Sequence, residues 1–226
     1  MPHMLYKKIN DNFQPTIQKA FGELKEKGYS IFHVGDFSKE DFLNFSYSFG
    51  EVIPSGREKG LVDEIYISGE LKQSSLPLHT DKSYWRIPPS FEILYVNDVH
   101  NMQHGEIIVG DLLKSFKQLS EDEQKQLLGF SGIYKSPKNR DAGEINVKLV
   151  GKIDDELAFF RYRLDLFDSS APVIEKWNKE IEKTLVLVPY RKGDILILDN
   201  RLHCAGRNIT TWSEGGFRHL YRTLVM

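Results

Sequence analysis

Residues 78–89 of the chain read Leu-His-Thr-Asp-Lys-Ser-Tyr-Trp-Arg-Ile-Pro-Pro, and the His-x-Asp spacing near their start is the sharpest local signal in the sequence. In an extended strand alternate side chains share one face, so His79 and Asp81 point the same way while Thr80 points to the other side. An imidazole beside a carboxylate supplies two corners of a metal site. A histidine from a distant strand would complete the triad of two histidines and one carboxylate, which suits iron(II) and leaves three coordination positions open.

The third ligand must come from the remaining histidines, and His203 is the strongest candidate. It follows residues 192–201, which predict a turn, a buried apolar strand and a polar end, and a ligand at the mouth of a barrel strand is what such a site needs. Two others, His100 and His104, fall in a predicted polar turn over residues 98–105. The rest have ordinary interpretations as terminal, partly buried or outward-facing residues: His3, His33 and His219.

The C-terminal segment carries two arginines that a strand would place on one face. If residues 217–225 form a strand, Arg218 and Arg222 share that face with Leu220. An arginine on an inward face is costly unless it meets an anion, and guanidinium matches a carboxylate with two parallel hydrogen bonds. Because four residues of strand span ~13 Å, the two arginines are expected to hold different groups. The alternative interpretation is a surface strand with outward arginines.

The remaining pattern predicts helices near the start of the chain and many short strands behind them. Apolar residues at i, i+3, i+4 and i+7 predict a first helix that ends at Gly28, and capping signals at Ser38 and Ser120 predict the starts of two more. A further helix is predicted over residues 171–183, with Trp177 on its apolar face. This order indicates an α+β protein built on a barrel or sandwich. The predicted strands cover residues 29–34, 62–68, 91–96, 106–109, 147–150, 157–162, 185–188, 194–198 and 217–225.

Length and composition exclude several classes of function for this protein. The 226 residues suit a single domain over residues 1–226, of which residues 1–4 resemble a cloning scar. The net charge is -2 and no Lys/Arg block occurs, which argues against a nucleic-acid partner. Cys204 is the only cysteine, so no intramolecular disulfide can form. Without a signal-like segment or an apolar run of ~18 residues, the chain is predicted to be a soluble cytoplasmic protein that acts on a small molecule away from membranes.

Together these segments resemble the taurine dioxygenase and clavaminate synthase (TauD/TfdA-like) superfamily of iron(II)/2-oxoglutarate-dependent oxygenases. The resemblance runs from about Gly28 to the C-terminus and implies a double-stranded β-helix (jelly-roll) core with flanking helices. It implies an iron site formed by three ligands and places the other polar residues around it. The segments that carry it are residues 28–31, 49–51, 78–89, 193–203 and 217–222. The implied iron ligands are His79, Asp81 and His203, Arg218 is assigned to the distal carboxylate of 2-oxoglutarate, and Arg222 and Tyr84 are assigned to the substrate.

The resemblance also implies a reaction class. A mononuclear non-haem enzyme of this kind uses Fe(II), 2-oxoglutarate and O2 and releases succinate and CO2. Retention of the Asp81 carboxylate favours hydroxylation, desaturation or a related oxidation over halogenation, because halogenases of this chemistry replace that carboxylate with a small residue. Lys82 and Arg222 suggest an anionic or amino-acid-like substrate.

Two departures from the family pattern keep other functions open. Ile107 stands where members usually carry a threonine that helps to bind 2-oxoglutarate. His203 follows Asn200 by three residues, where about five is more usual. One alternative is therefore a jelly-roll metalloenzyme that does not use 2-oxoglutarate, and another is a non-catalytic jelly-roll binding protein.

Overall fold

The computed structural model describes residues 14–55, 60–68, 75–135, 144–153, 156–163 and 171–226. The helices of these residues are α1 (Gln14–Lys27), α2 (Lys39–Ser46), α3 (Leu112–Lys117), α4 (Glu121–Gly129) and α5 (Pro172–Glu182), and a 3-10 turn (Tyr47–Phe49) follows α2. The strands are β1 (Tyr29–His33), β2 (Val52–Ile53), β3 (Asp63–Ser68), β4 (Leu76–His79), β5 (Phe91–His104), β6 (Ile107–Asp111), β7 (Ser131–Lys135), β8 (Glu144–Lys148), β9 (Val150–Ile153), β10 (Glu156–Phe160), β11 (Val186–Val188), β12 (Asp194–Asp199), β13 (His203–Arg207) and β14 (Thr210–Val225).

Local capping sets the predicted helix ends. Ser38 caps α2 by accepting a hydrogen bond from the backbone N–H of Asp41 (3.1 Å), and the Asp41 carboxylate accepts one from the backbone N–H of Ser38 (3.0 Å). Ser120 and Glu123 form the same reciprocal pair at the start of α4. At the end of α1, Gly28 has a φ of +78°, which favours glycine. These predicted starts and stops are confirmed.

Two antiparallel sheets pack face to face. The larger sheet has the order β1-β12-β5-β14-β2, with β3 also paired to β14, and the smaller sheet has the order β11-β6-β13-β4. Apolar side chains of both sheets meet between them. Because one face of each sheet is buried in this way, the chain is a β-rich sandwich of the jelly-roll-like kind. The buried residues between the sheets are Leu94, Ile107, Val109, Val188, Leu196 and Leu198.

The helices cover the outer faces of the sandwich. Buried residues of α1 and α2 pack with outward-facing residues of the larger sheet, such as Ile93 and Ile195. Helices α3, α4 and α5 pack over the smaller sheet, where the fully buried Trp177 donates a hydrogen bond to Ser115 Oγ (3.0 Å). The buried side chain of Cys204 joins this second cluster. Side chains of β13 therefore alternate between the helical layer, on the side of Cys204, and the interior of the sandwich. None of the helices of the described residues is long and apolar enough to span a membrane.

Some of the predicted elements differ from those in the structure. The polar turn predicted over residues 98–105 is wrong, because β5 continues through His104 and pairs with β14 as far as Thr210. Polar residues on both faces of this extension leave no alternation for a sequence pattern to detect. The single strand predicted over residues 147–150 is divided between β8 and β9. Strand β13 and helix α3 were not predicted as elements.

Candidate active site

His79 and Asp81 lie together, as their spacing predicts. Strand β4 ends at His79, and the His79 Nε2 atom is 3.5 Å from Asp81 Oδ1. Thr80 points the other way, where its hydroxyl accepts a hydrogen bond from the backbone N–H of Tyr162 (3.0 Å). The His79 Nδ1 atom donates to the Pro77 carbonyl (2.9 Å), since a carbonyl can only accept. His79 Nε2 is therefore the nitrogen that can ligate a metal beside Asp81.

The Asp81 backbone is fixed by a side chain from the end of β12. Asn200 Oδ1 accepts a hydrogen bond from Asp81 N (2.6 Å), and Asn200 Nδ2 donates to Asp81 O (3.1 Å) and to Pro89 O (3.0 Å). Both residues are buried. The amide of Asn200 thus joins the chain before and after the Asp81 turn and holds its carboxylate at the end of β4.

Asp81 also belongs to a buried charge cluster around Arg222, which we call the Arg222 cluster. Arg222 Nη1 donates to Asp81 Oδ2 (2.6 Å), and Arg222 Nε and Nη2 donate to Asp63 Oδ2 (3.1 and 2.5 Å). Glu92 Oε1 lies 3.6 Å from the same Nη1. Asp63 is directly opposite Arg222 in the β3–β14 register. The Arg222 cluster therefore comprises Asp63, His79, Asp81, Glu92 and Arg222.

Burial sets the ionisation of this cluster. Burial raises the pKa of Glu92 to about 7, and the negative charge of Asp81 adds to the shift. At His79, burial is the largest influence and opposes the charged form, but the hydrogen bond to Asp81 and the negative charges of Asp81 and Glu92 together outweigh it, so the pKa of the imidazole is raised. Burial also opposes the charge of Arg222, whose pKa is nevertheless raised by Asp81, Glu92 and Asp63. Arg222 is thus a permanent cation that balances the carboxylates around the predicted metal ligands.

His203, the third predicted ligand, occupies a different position. Its Nε2 atom is 3.7 Å from Asp111 Oδ2 and its Nδ1 atom is 3.9 Å from Asp199 Oδ2. Its ring packs on Gly28 so closely that a Cβ at Gly28 would lie 2.1 Å from Nε2. The residue directly opposite His79 in the β4–β13 register is Ala205.

The described residues supply two of the three predicted metal ligands at one place. Among them, no three His, Cys, Asp or Glu side chains are arranged to hold a metal ion. His79 and Asp81 fit two positions of an iron site, and no third side chain of the described residues fits with them. The triad of His79, Asp81 and His203 therefore stays a prediction, and no reaction step is derived through iron.

Arg218 differs from Arg222 in its partners. Both are buried, with 4% relative exposure each, which confirms that the arginines of β14 face inward. Arg218 Nη1 donates to Tyr190 Oη (2.9 Å), and Arg218 Nε has no hydrogen-bond partner in the part of the chain that the structure describes. No carboxylate of the described residues lies within ion-pair distance of Arg218. A buried guanidinium in this state suits an anionic ligand, and the far carboxylate of 2-oxoglutarate has the required chemistry.

A cavity of about 850 Å³ opens beside the turn that follows Asp81. Tyr84 lines it, close to Lys82, whose ammonium lies 3.4 Å from Tyr84 Oη and also donates to the Ser55 carbonyl. Four basic residues contribute to its wall, and none of the described residues that line it is acidic. The cavity therefore has a positive lining suited to an anion. The basic lining residues are Arg86, Lys148, Lys152 and Arg161.

Comparison with known proteins decides the family. The model of the family described as "Taurine catabolism dioxygenase TauD, TfdA family" matches residues 7–224. The chain belongs to this family. No curated protein matches the chain by sequence at a significant level.

Solved structures with the same fold include several oxygenases. The non-haem iron oxygenase OrfP, in complex with Fe and alpha-ketoglutaric acid, gives a TM-score of 0.78 at 17% identity and covers 98% of this chain and 82% of its own. A taurine dioxygenase from Burkholderia xenovorans gives 0.71 at 18%, covering 94% and 81%. An asparagine oxygenase in complex with Fe(II), 2S,3S-3-hydroxyasparagine and succinate gives 0.73 at 13%, covering 94% and 79%. At these identities the likeness shows the fold.

Membership of the TauD/TfdA family confirms the predicted enzyme class. The chain is a non-haem Fe(II)/2-oxoglutarate-dependent dioxygenase by family, and the predicted Fe(II), 2-oxoglutarate and O2 are the cofactor and co-substrates of that class.

Three residues near the TauD/TfdA site were missed by sequence reasoning. Asp63 and Glu92 complete the Arg222 cluster, and Ala205 faces His79. Glu92 carried a signal, because it alternates with the inward-facing Leu94 in an otherwise apolar strand. Asp63 and Ala205 carried none, since their proximity to the site depends on pairing between distant strands.

Proposed function

We propose that this TauD/TfdA family member hydroxylates or desaturates a small polar molecule of anionic or amino-acid character, with conversion of 2-oxoglutarate and O2 to succinate and CO2. The proposal includes a double-stranded β-helix arrangement of the two sheets. His79 and Asp81 are assigned to iron, which would activate O2 when bound. The observation that carries the proposal is the buried Arg218 guanidinium, whose Nε has no hydrogen-bond partner among the described residues.

Arg218 is assigned to the distal carboxylate of 2-oxoglutarate. A buried cation without a counter-ion is unfavourable, so a dicarboxylate that enters beside it gains a charge-assisted hydrogen bond and removes that cost. Tyr190 already holds one side of the guanidinium and so orients it. Arg222 is less suited to this task, because its donors are already directed at Asp63 and Asp81.

The cavity lined by Tyr84 supports the substrate class. Its basic wall favours an anionic group, and 850 Å³ can hold an amino-acid-sized molecule with water. Tyr84 is assigned to the substrate side of this cavity. Arg222, predicted to contact substrate, is assigned instead to orienting the Asp81 carboxylate, to which its Nη1 donates. The amino acids and taurine named with the structural neighbours are molecules of the same class.

The first test measures binding of the co-substrate. Anaerobic addition of Fe(II) and then 2-oxoglutarate to the whole protein should produce the visible charge-transfer band of the chelate. His79→Ala should remove the band, and Arg218→Met should shift its midpoint to higher 2-oxoglutarate concentration. Succinate release is then measured with amino acids and sulfonates as substrates. A wild-type protein that never produces the band would refute the proposal.

One observation favours a second candidate, a metalloenzyme of this fold that does not use 2-oxoglutarate. Ile107 is buried between the two sheets and offers no hydrogen bond where the family usually has a threonine. This candidate predicts metal binding at His79 and Asp81 without any effect of 2-oxoglutarate on the spectrum. The non-catalytic alternative predicts that the wild type and His79→Ala bind metal equally poorly.

A further inference from the structure

Ala205 lies on the inner face of β13, beside the predicted metal ligands. It pairs directly with His79 on β4 and with Val109 on β6, so the three side chains project to the same side of the smaller sheet. Ala205 packs against the apolar residues between the sheets and remains half-buried. Its methyl group therefore lies on the same face of the smaller sheet as the imidazole of His79.

The distance between directly paired residues makes this position suited to a ligand. The Cβ atoms of such a pair are ~4.5–5.5 Å apart, so two histidines placed there could direct nitrogens at one metal ion. Ala205 is also five residues after Asn200, the usual spacing of the histidine in the family pattern. Geometry and spacing thus agree that the natural position of a third ligand is filled by a methyl group.

His203 does not join His79 and Asp81 in any group of described residues that could hold a metal ion. Its Nε2 atom lies 3.7 Å from Asp111 Oδ2, and its ring rests on the backbone of Gly28, where no side chain would fit. Its Nδ1 atom has no hydrogen-bond partner among the described residues and lies 3.9 Å from Asp199 Oδ2. The position of the His203 ring is therefore set by its contacts with Asp111 and Gly28.

We propose that the side chains of the described residues do not complete a metal site of two histidines and one carboxylate, because the position for the third ligand faces Ala205, whose methyl group cannot ligate a metal ion. A ligating side chain at residue 205 would then complete the site. The inference rests on the proposed function, because it assumes that His79 and Asp81 bind the metal.

The test is an anaerobic Co(II) titration of the whole protein, followed by calorimetry and by the visible Co(II) spectrum. Ala205→His should tighten Co(II) binding about tenfold or more, the scale on which metal sites respond to changes in their ligands and supporting shell. Ala205→Phe supplies a ring of similar size without a donor and should give no gain. His203→Gln should bind Co(II) as the wild type does, whereas His79→Ala should lose binding. Near-UV circular dichroism checks that each variant is folded.

The outcomes separate the inference from the function beneath it. If His203→Gln loses Co(II) as strongly as His79→Ala and Ala205→His gains nothing, the inference is overturned while the metal assignment of His79 stands. If His79→Ala has no effect on Co(II) binding, the metal assignment itself fails. If the wild type retains no Co(II), a gain in Ala205→His still supports the inference and the lack of a gain overturns it.

A second measurement does not depend on the folding of a variant. Imidazole added to the wild-type Co(II) complex should change the visible spectrum, because it can enter the position above Ala205. The same addition to Ala205→His should change it less, since the new side chain fills that position. A wild-type Co(II) complex whose spectrum does not respond to imidazole would contradict the proposal.

Discussion

Arg218 and Arg222 lie four residues apart on the same face of one strand, are equally buried and have opposite surroundings. Arg222 directs three nitrogens at Asp63 and Asp81 and has Glu92 nearby. Within the described ranges Arg218 has one hydrogen-bond partner, the neutral Tyr190 hydroxyl. Burial alone therefore does not reveal what an arginine does. The number and charge of its partners distinguish an arginine that neutralises carboxylates of the protein from one that is suited to bind an anionic ligand.

The largest effect is expected from substitution of Arg222, the arginine whose donors are already paired with carboxylates. Arg222→Met would leave the buried carboxylates of Asp63 and Asp81 without their cation, and removal of one partner from a buried ion pair costs about 3–5 kcal/mol. We expect the free energy of unfolding, measured with urea, to fall by that amount. Arg218→Met serves as the matched control, because it removes the same group from the same face without stranding a carboxylate. Equal losses in both variants would contradict the comparison.

The next effect should appear in ligand binding. Arg218→Met is expected to weaken 2-oxoglutarate binding by about 2–5 kcal/mol, as for loss of one partner of a buried, hydrogen-bonded charge pair. Its stability without ligand should be maintained or increased, because a buried cation lacking a counter-ion is removed. Calorimetric titration with 2-oxoglutarate and urea unfolding give the two quantities. Unchanged affinity would assign the co-substrate to another residue.

A smaller effect is expected at the neutral partner. Tyr190→Phe removes the only hydrogen bond of Arg218 among the described residues and leaves a buried donor unsatisfied, at a cost of about 1–3 kcal/mol. Saturating 2-oxoglutarate should recover part of this loss, because its carboxylate supplies a new acceptor. Thermal unfolding with and without 2-oxoglutarate measures the recovery. A variant that loses stability equally in both conditions would place the ligand away from Arg218.

The smallest effect is expected at Glu123, a carboxylate near the surface that already has an ion pair and hydrogen bonds. The bridge from Lys176 and the hydrogen bonds from Ser120 lower the pKa of Glu123 to about 2. A lowered pKa contributes stability above the ordinary value of 4.5, and this contribution is lost as the pH falls toward 2. Glu123→Gln should therefore be slightly less stable than the wild type at pH 7 and equal to it near pH 2. If the stability difference between Glu123→Gln and the wild type persists near pH 2, the contribution of Glu123 does not depend on its charge.

Local patterns predicted part of this site. The alternation of His79 with Asp81, and of Arg218 with Arg222, follows from the geometry of single strands, and the capping boxes follow from four adjacent residues. The partners of Arg222 could not be predicted in this way, because Asp63 and Glu92 belong to strands far apart in the chain. His203 was preferred as the third ligand from its position after an apolar strand. That local pattern does not show how β4 and β13 pair. Their pairing places Ala205 opposite His79.

Cys204 lies on β13, the strand that also carries His203 and Ala205. Its thiol is the only one in the chain, is 1% exposed, and lies between His203 and Ala205 on the opposite face of β13. Burial also raises the pKa of this thiol, so the reactive thiolate is rare in the native state. An alkylating reagent can reach the sulfur only when β13 leaves the helical layer. The rate of labelling therefore reports how often this strand opens locally. A ligand that bridges the two sheets should slow the labelling.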